Sequence, residues 1–228
     1  MTVGKHIPAC IGIILDGNRR WAKENNLTSY EGHLRGMNNL EPIAHATRDA
    51  GIRHLVVYAF STENWNRSKE EVSYLMKIFE STIRERLATF SEEGIAVRFV
   101  GQKERFAGSI QNAMLEVEKK NPNDPALTLW ICISYGGRAE IVDAARAVAD
   151  EGNVLTEESL TAHLWTKGMP EPDLIIRTGG EQRLSNFLLW QGAYSELFFV
   201  KTYWPAFTAN DLQAILAEYT ARERRRGV

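Results

Sequence analysis

The amino-acid sequence predicts an α/β fold: one domain over residues 1–228, with a mostly parallel, six-stranded sheet flanked by helices. Short apolar runs alternate with longer segments of helical period, the pattern of strand–helix–strand units. The runs are apolar nearly throughout, as strands covered on both faces are. Polar and charged residues gather just after these runs, where an open parallel sheet binds its ligands.

The first strand is the run Ile11 to Leu15, closed by Asp16, Gly17 and Asn18. Glycine and asparagine tolerate positive φ, so a turn follows, and a helix opens over 20–25. Residues 34–50 read as one helix, with Leu34, Met37, Leu40, Ile43 and Ala44 on a face and Gly51 at its end. His54 to Phe60 is the second strand and leads into the polar loop Ser61 to Arg67. Ser68 and Glu71 have capping-box spacing and open a long helix to about Phe90, with Val72, Leu75, Met76, Phe79 and Ile83 on one side. A third strand over 95–100 and a helix over 103–120 follow, ended by Asn121-Pro-Asn-Asp-Pro125. Leu127 to Ser134 is the fourth strand, and Tyr135-Gly-Gly-Arg138 is a glycine turn into the helix 138–150. A short helix over 156–165, the strand Asp173 to Arg177 and a second glycine turn, Thr178 to Arg183, come next. A sixth strand over 195–200 and an amphipathic helix over 209–225 complete the chain.

Composition narrows the function. The 228 residues carry a formal net charge of −2, which gives no reason to expect a nucleic-acid partner. Cys10 and Cys132 lie in apolar runs and read as reduced core thiols, in keeping with a cytoplasmic protein. No stretch is long and apolar enough to span a bilayer, and the first residues lack a signal-peptide core. Basic residues are locally concentrated, at Arg19 and Arg20, at Arg177 and Arg183, and in the closing Arg224 to Arg226. That closing run reads as a solvated helix end favoured by the macrodipole.

The turn Asp16-Gly-Asn-Arg-Arg20 suits anionic oxygens, because turn amides near a helix start and guanidinium forks both bind phosphate. Alternatively it is a plain Asx turn with solvated arginines. The strand-end loops Asp16–Arg20, Ser61–Arg67, Tyr135–Arg138 and Arg177–Arg183 converge on one sheet edge, which favours binding of one large or two smaller phosphorylated ligands. No P-loop, dinucleotide fingerprint or zinc spacing occurs. A hard cation such as Mg2+, held by Asp16, by Glu196 and by ligand phosphates, fits the acids. The apolar faces of 34–50 and 69–90 are either plain core or the wall of an apolar tunnel between sheet and helices.

These residues carry a resemblance. Leu15-Asp-Gly-Asn-Arg-Arg-Trp-Ala22, Gly32-His33, Tyr58-Ala-Phe-Ser-Thr-Glu-Asn-Trp-Asn-Arg67, Tyr135-Gly-Gly-Arg138, Asp173-Leu-Ile-Ile-Arg-Thr-Gly-Gly-Glu181, Arg183-Leu-Ser-Asn-Phe-Leu-Leu-Trp-Gln191 and Ala193-Tyr-Ser-Glu196 resemble the cis-prenyltransferase family in order and spacing. The resemblance implies condensation of isopentenyl diphosphate onto an allylic diphosphate such as farnesyl diphosphate, with Mg2+. By it, Asp16 holds Mg2+ at the allylic diphosphate, and Gly17, Asn18, Arg19 and Arg20 cradle that group with His33 and Arg67. Trp21 and Trp65 flank the ligands, Ser61, Thr62 and Glu63 line the same loop, and Asn64 assists proton removal. Arg177, Arg183, Leu184 and Ser185 take the second diphosphate, and Glu196 completes the Mg2+ environment. An amide has no useful basicity, so Asn64 reads as a positioning group or relay.

Three positions depart from common family patterns: Arg19 where many bacterial relatives have glycine, Ser29 where long-chain enzymes often have arginine, and Gln182 where histidine is frequent. Small Ala59 leaves room in a tunnel, whereas Ile133 stands where some long-chain relatives carry a small residue. The expected product is a medium- or long-chain polyprenyl diphosphate, undecaprenyl diphosphate being one example. A short Z,E-farnesyl-type product is the alternative within the class, and a non-catalytic partner subunit the alternative outside it. The resemblance further implies a homodimer and transient contact with the inner membrane face. Under it, Arg224 to Arg226 read equally as a segment reaching the dimer interface or the neighbouring active site.

Overall fold

A computed structural model describes residues 7–222. Six strands form one sheet: β1 (Cys10–Ile14), β2 (His54–Ser61), β3 (Ile95–Val100), β4 (Leu127–Tyr135), β5 (Leu174–Arg177) and β6 (Glu196–Phe199). Their order is β3-β4-β2-β1-β5-β6, and every pairing is parallel. The chain starts in the middle and winds outward both ways, so β1 and its neighbours present their C-terminal ends side by side.

The helices are α1 (Asn18–Glu24), α2 (Ser29–Asn38), α3 (Leu40–Asp49), α4 (Lys69–Glu85), α5 (Gly108–Lys119), α6 (Gly137–Asp150), α7 (Glu157–His163) and α8 (Ala209–Ala221). Alternation along each strand divides the core. Ile11, Ile13, Leu55, Val57, Leu129 and Ile131 face the layer holding α3, α4, α5 and α8. Cys10, Ile14, Val56, Tyr58, Trp130 and Cys132 face the other layer, with Phe187 and Leu188. Both cysteines are free, and burial pushes both thiols up.

Helix boundaries correct the sequence reading. The segment 34–50 is two helices, broken at Asn39, whose Nδ2 donates to the carbonyls of Trp204 (2.8 Å) and Phe207 (2.9 Å). Its true start is Thr28, where a capping box with Glu31 closes α2. The long helix stops at Glu85 and continues as a 3-10 segment, Leu87–Glu93. Helix α5 begins at Gly108, after a 3-10 turn at Lys103–Arg105.

Helices α1 and α2 touch almost backbone to backbone. A Cβ at Gly32 would sit 2.3 Å from the carbonyl of Asn18, and one at Gly36 would sit 2.1 Å from Asn18 Oδ1. Gly32→Ala is therefore expected to separate the two helices and destabilise the protein by about 1–3 kcal/mol, the range of overpacked cores. Urea unfolding checks this, and an unchanged midpoint would contradict the packing. No helix among the described residues is long and apolar enough to cross a membrane. The closing arginines Arg224 to Arg226 lie outside the described residues.

Candidate active site

A cavity of about 590 Å3 opens at the C-terminal ends of β1, β2 and β5. Its polar mouth holds Asp16, Asn18, His33, Ser61, Glu63, Asn64, Arg67, Arg177, Arg183, Ser185 and Asn186. Its depth is apolar, with Met37, Ala59, Phe60, Leu75, Ile78, Phe79 and Trp204. Such a shape suits a ligand with a charged head and an oily tail.

Asp16 leaves β1 through a turn that the fold clamps from two sides. Its amide donates to Thr178 Oγ1 (3.0 Å), and its carbonyl accepts from Thr178 Oγ1 (2.7 Å) and from the Trp204 amide (2.9 Å). Gly17 follows at φ 109°, a conformation open to glycine, with the Tyr203 ring where a side chain would go. The Asp16 carboxylate bridges two arginines, Arg177 Nη2 at 2.9 Å and Arg20 Nη2 at 3.2 Å. Arg177 is 4% exposed, and its Nη1 donates to the Arg183 carbonyl (2.5 Å) and to Ser185 Oγ (2.7 Å). Glu181 takes up Arg183 Nη1 (2.6 Å) and sits 3.5 Å from Arg20 Nη1. The arginines are thus held in place by acids and carbonyls.

The loop after β2 shapes the opposite wall. Pairing between β2 and β4 slips around Ala59, an irregularity that re-aims the strand end. Asn64 turns its Oδ1 back to the Ser61 amide (3.1 Å), which leaves Nδ2 as the end available to a ligand. A donor of that kind steadies an anion; it does not take a proton. Glu63 accepts from Asn186 Nδ2 at 2.9 Å; burial pushes its carboxyl up, but this bond and others from its loop hold it below the ordinary range. Ser185 (φ 49°), Asn186 (φ 69°) and Leu188 (φ 43°) are all left-handed, a strained run beside the arginines.

Several expected site residues lie elsewhere. Trp65 turns inward: its ring meets Phe60 and Phe106, Nε1 donates to Ser134 Oγ (2.9 Å), and Arg105 lies over it. Gly17, Arg19, Trp21, Thr62 and Leu184 do not line the cavity, and Arg20 meets it only through its ion pair with Asp16. The loop Tyr135–Arg138 does not reach it either, so three loops form the mouth rather than four. Its glycines seat the strained run instead. The Gly137 amide donates to the Asn186 carbonyl (2.7 Å), the Arg138 amide donates to Asn186 Oδ1 (2.9 Å), and a Cβ at Gly136 would sit 2.6 Å from Asn186 Nδ2. Below this turn, fully buried Glu140 accepts from Tyr135 Oη, Thr166 and Gln191 and locks the region.

Glu196 opens β6, level with Leu174 at the start of β5, whereas Asp16 lies beyond the far end of β1. It accepts from Arg222 Nη1 at 2.9 Å and does not join Asp16 within the chain. Among the described residues no three acids, histidines or cysteines cluster as metal ligands. Asp16 nevertheless fits a hydrated Mg2+, which takes one or two carboxylates with ligand phosphates.

Residues 14–227 match the family model described as putative undecaprenyl diphosphate synthase. The chain belongs to this family. It is 45% identical to the Pyrococcus horikoshii tritrans,polycis-undecaprenyl-diphosphate synthase (geranylgeranyl-diphosphate specific), over 97% of this chain and 87% of the relative. It is 41% identical to the Acinetobacter baylyi ditrans,polycis-undecaprenyl-diphosphate synthase ((2E,6E)-farnesyl-diphosphate specific), over 97% of this chain and 92% of the relative. The crystal structure of lavandulyl diphosphate synthase from Lavandula x intermedia, in complex with dimethylallyl diphosphate, superposes with a TM-score of 0.93 at 37% identity, covering 97% and 99% of the chains. The protein is a prenyl-group transferase of the cis-prenyltransferase type.

The structure also recruits residues to which the sequence assigned no role in the site. Asn186 closes the mouth between two loops, and Trp204 floors it with its Nε1 on the Gly36 carbonyl (2.7 Å). Glu71 stands behind the mouth and contacts three basic side chains. Asn186 belonged to a recognisable motif; a lone Trp-Pro pair and the second half of a helix cap gave no local signal.

Proposed function

We propose that this prenyltransferase condenses isopentenyl diphosphate with an allylic diphosphate repeatedly, building a medium- or long-chain Z-polyprenyl diphosphate. The observation that carries this reading is the apolar end of the main cavity, walled by Met37, Ala59, Phe60, Leu75, Ile78 and Phe79 below its polar mouth. A second apolar void, of about 10 Å3, shares Met37 and Phe79 with the first and continues among Thr82, Ile83, Leu87, Phe99, Phe106, Met114, Ile131 and Ile133. Met37 and Phe79 thus stand between the two, and one of them is an adaptable methionine.

At about 30 Å3 per water, the main cavity of about 590 Å3 has the room of roughly 20 waters, enough for a primer-sized ligand. A longer tail has to pass Met37 and Phe79. Should the partition stay shut, the product is short, and the likeness to a lavandulyl diphosphate synthase supports that second reading.

The allylic diphosphate sits among Asp16, Asn18, His33 and Arg67, and Arg177, Arg183 and Ser185 take the isopentenyl diphosphate. Charge develops on the departing diphosphate as the allylic bond breaks, and preplaced guanidinium groups stabilise it without reorganising. Mg2+ held by Asp16 would supply further neutralisation of that group. Asn64 Nδ2 orients an anionic oxygen, which leaves proton removal to a diphosphate oxygen. Incubation of the full chain with farnesyl diphosphate, labelled isopentenyl diphosphate and Mg2+, followed by sizing of dephosphorylated products, tests the proposal. A ladder of several additions supports it, a single addition supports the short-product reading, and no incorporation with any primer overturns both.

A further inference from the structure

Glu71 breaks a local rule in a way that points to the site. It occupies the third position of α4, and Ser68 Oγ accepts from its amide at 3.2 Å as an N-cap should. The returning bond, from the Ser68 amide to the Glu71 carboxylate, is missing. Where the same spacing recurs, the box closes: the Thr28 amide donates to Glu31 (2.8 Å) and the Thr208 amide to Asp211 (2.8 Å). Glu71 forgoes that bond and faces three basic side chains from three segments. Its Oε1 lies 2.9 Å from Arg67 Nη1 and 3.7 Å from His33 Nε2, and its Oε2 lies 3.6 Å from Arg19 Nη1.

Two of these three, His33 and Arg67, line the cavity mouth; Glu71 does not. Its side chain is 14% exposed, so its charge is poorly screened by water. Burial, followed by the positive charge of Arg67, holds His33 at about 4, against the opposing pull of Glu71, so the ring is neutral near pH 7. Glu71 is therefore the negative charge set against two arginines, at a place where a ligand brings more negative charge.

We propose that Glu71 is a built-in competitor for the basic groups of the allylic-diphosphate site, a positioning residue that limits how tightly diphosphate is held. The inference rests on the reading of His33 and Arg67 as diphosphate ligands. An enzyme that adds units repeatedly must let go of one spent diphosphate per addition, and unopposed arginines would retain it. Arg67 keeps one arm on Glu71, which fixes its fork, and the carboxylate weakens by repulsion any anion the other arm takes. Arg19, 61% exposed, extends the same balance to solvent.

Glu71→Gln keeps an oxygen for Arg67 and removes only the charge. Inorganic pyrophosphate is expected to bind this variant at least tenfold more tightly than the wild type, both by calorimetry and as a product inhibitor. The gain should shrink as salt rises. KM for the allylic diphosphate should fall, with KM for isopentenyl diphosphate unchanged, and Glu71→Asp should restore wild-type pyrophosphate affinity. Equal or weaker pyrophosphate binding in a folded Glu71→Gln variant, with normal binding by the wild type, would overturn the competitor role. Failure of the wild type to bind pyrophosphate would overturn the site assignment itself.

Discussion

Asp16→Ala is expected to lower kcat by about two to three orders of magnitude, the scale on which a single charge-stabilising group matters in a preorganised site. The carboxylate is the meeting point of the two halves of the mouth. It accepts from Arg177 at 2.9 Å and forms an ion pair with Arg20 at 3.2 Å, and the backbone around it is fixed by Thr178 and Trp204. Alanine also leaves the nearly buried Arg177 short of its counter-charge. For a fully buried pair that costs about 3–5 kcal/mol, and Asp16, with a side chain 28% exposed, places this case at or below the low end. Asp16→Asn separates the effects, since it keeps an acceptor for the arginines and removes the charge that suits a cation. Both variants should lose turnover, with Asn losing little stability by urea unfolding. An Asn variant with more than a tenth of wild-type kcat would deny Asp16 any role through its charge.

Much of the fold was legible because its strands are buried on both faces. Such strands must be apolar throughout, so Ile11 to Leu15 and Leu127 to Ser134 stand out from any window. The sheet edge then gathers Asp16, Arg67, Arg177, Arg183 and Ser185 by topology alone, and His33 joins because Gly32 lets α2 close on α1. What the sequence reading missed depends on distant partners. Asn39 interrupts a good amphipathic pattern because Trp204 and Phe207, far along the chain, supply carbonyls for its side chain. Trp65 sits in the expected loop, yet Phe60, Phe106 and Ser134 draw it inward. Glu196 teaches a different lesson. A residue that starts a parallel strand lies at the edge opposite to one that ends a strand, so its separation from Asp16 follows from the strand positions themselves.

Tail length is the other property that one side chain should move strongly. Phe79 divides the main cavity from the void behind it, and Phe79→Ala removes six ring carbons from that partition. Six carbons removed match the five of one added unit, so the product distribution is expected to move up by about one unit. Truncating a buried phenylalanine costs about 3–5 kcal/mol, so Phe79→Leu serves as the milder test of the same direction. Ala59 offers the opposite change. It lines the main cavity beside the β2 irregularity, and Ala59→Leu adds three carbons where the tail would pass. That variant should shorten the products, because the added carbons take up room in the cavity that the tail fills. Sizing of dephosphorylated products from both variants checks the pair. Opposite shifts from Phe79→Ala and Ala59→Leu would place the growing tail along the line from Ala59 past Met37 and Phe79. An unchanged distribution in both would mean that the tail leaves the mouth by another route and that the apolar end of the cavity is core packing.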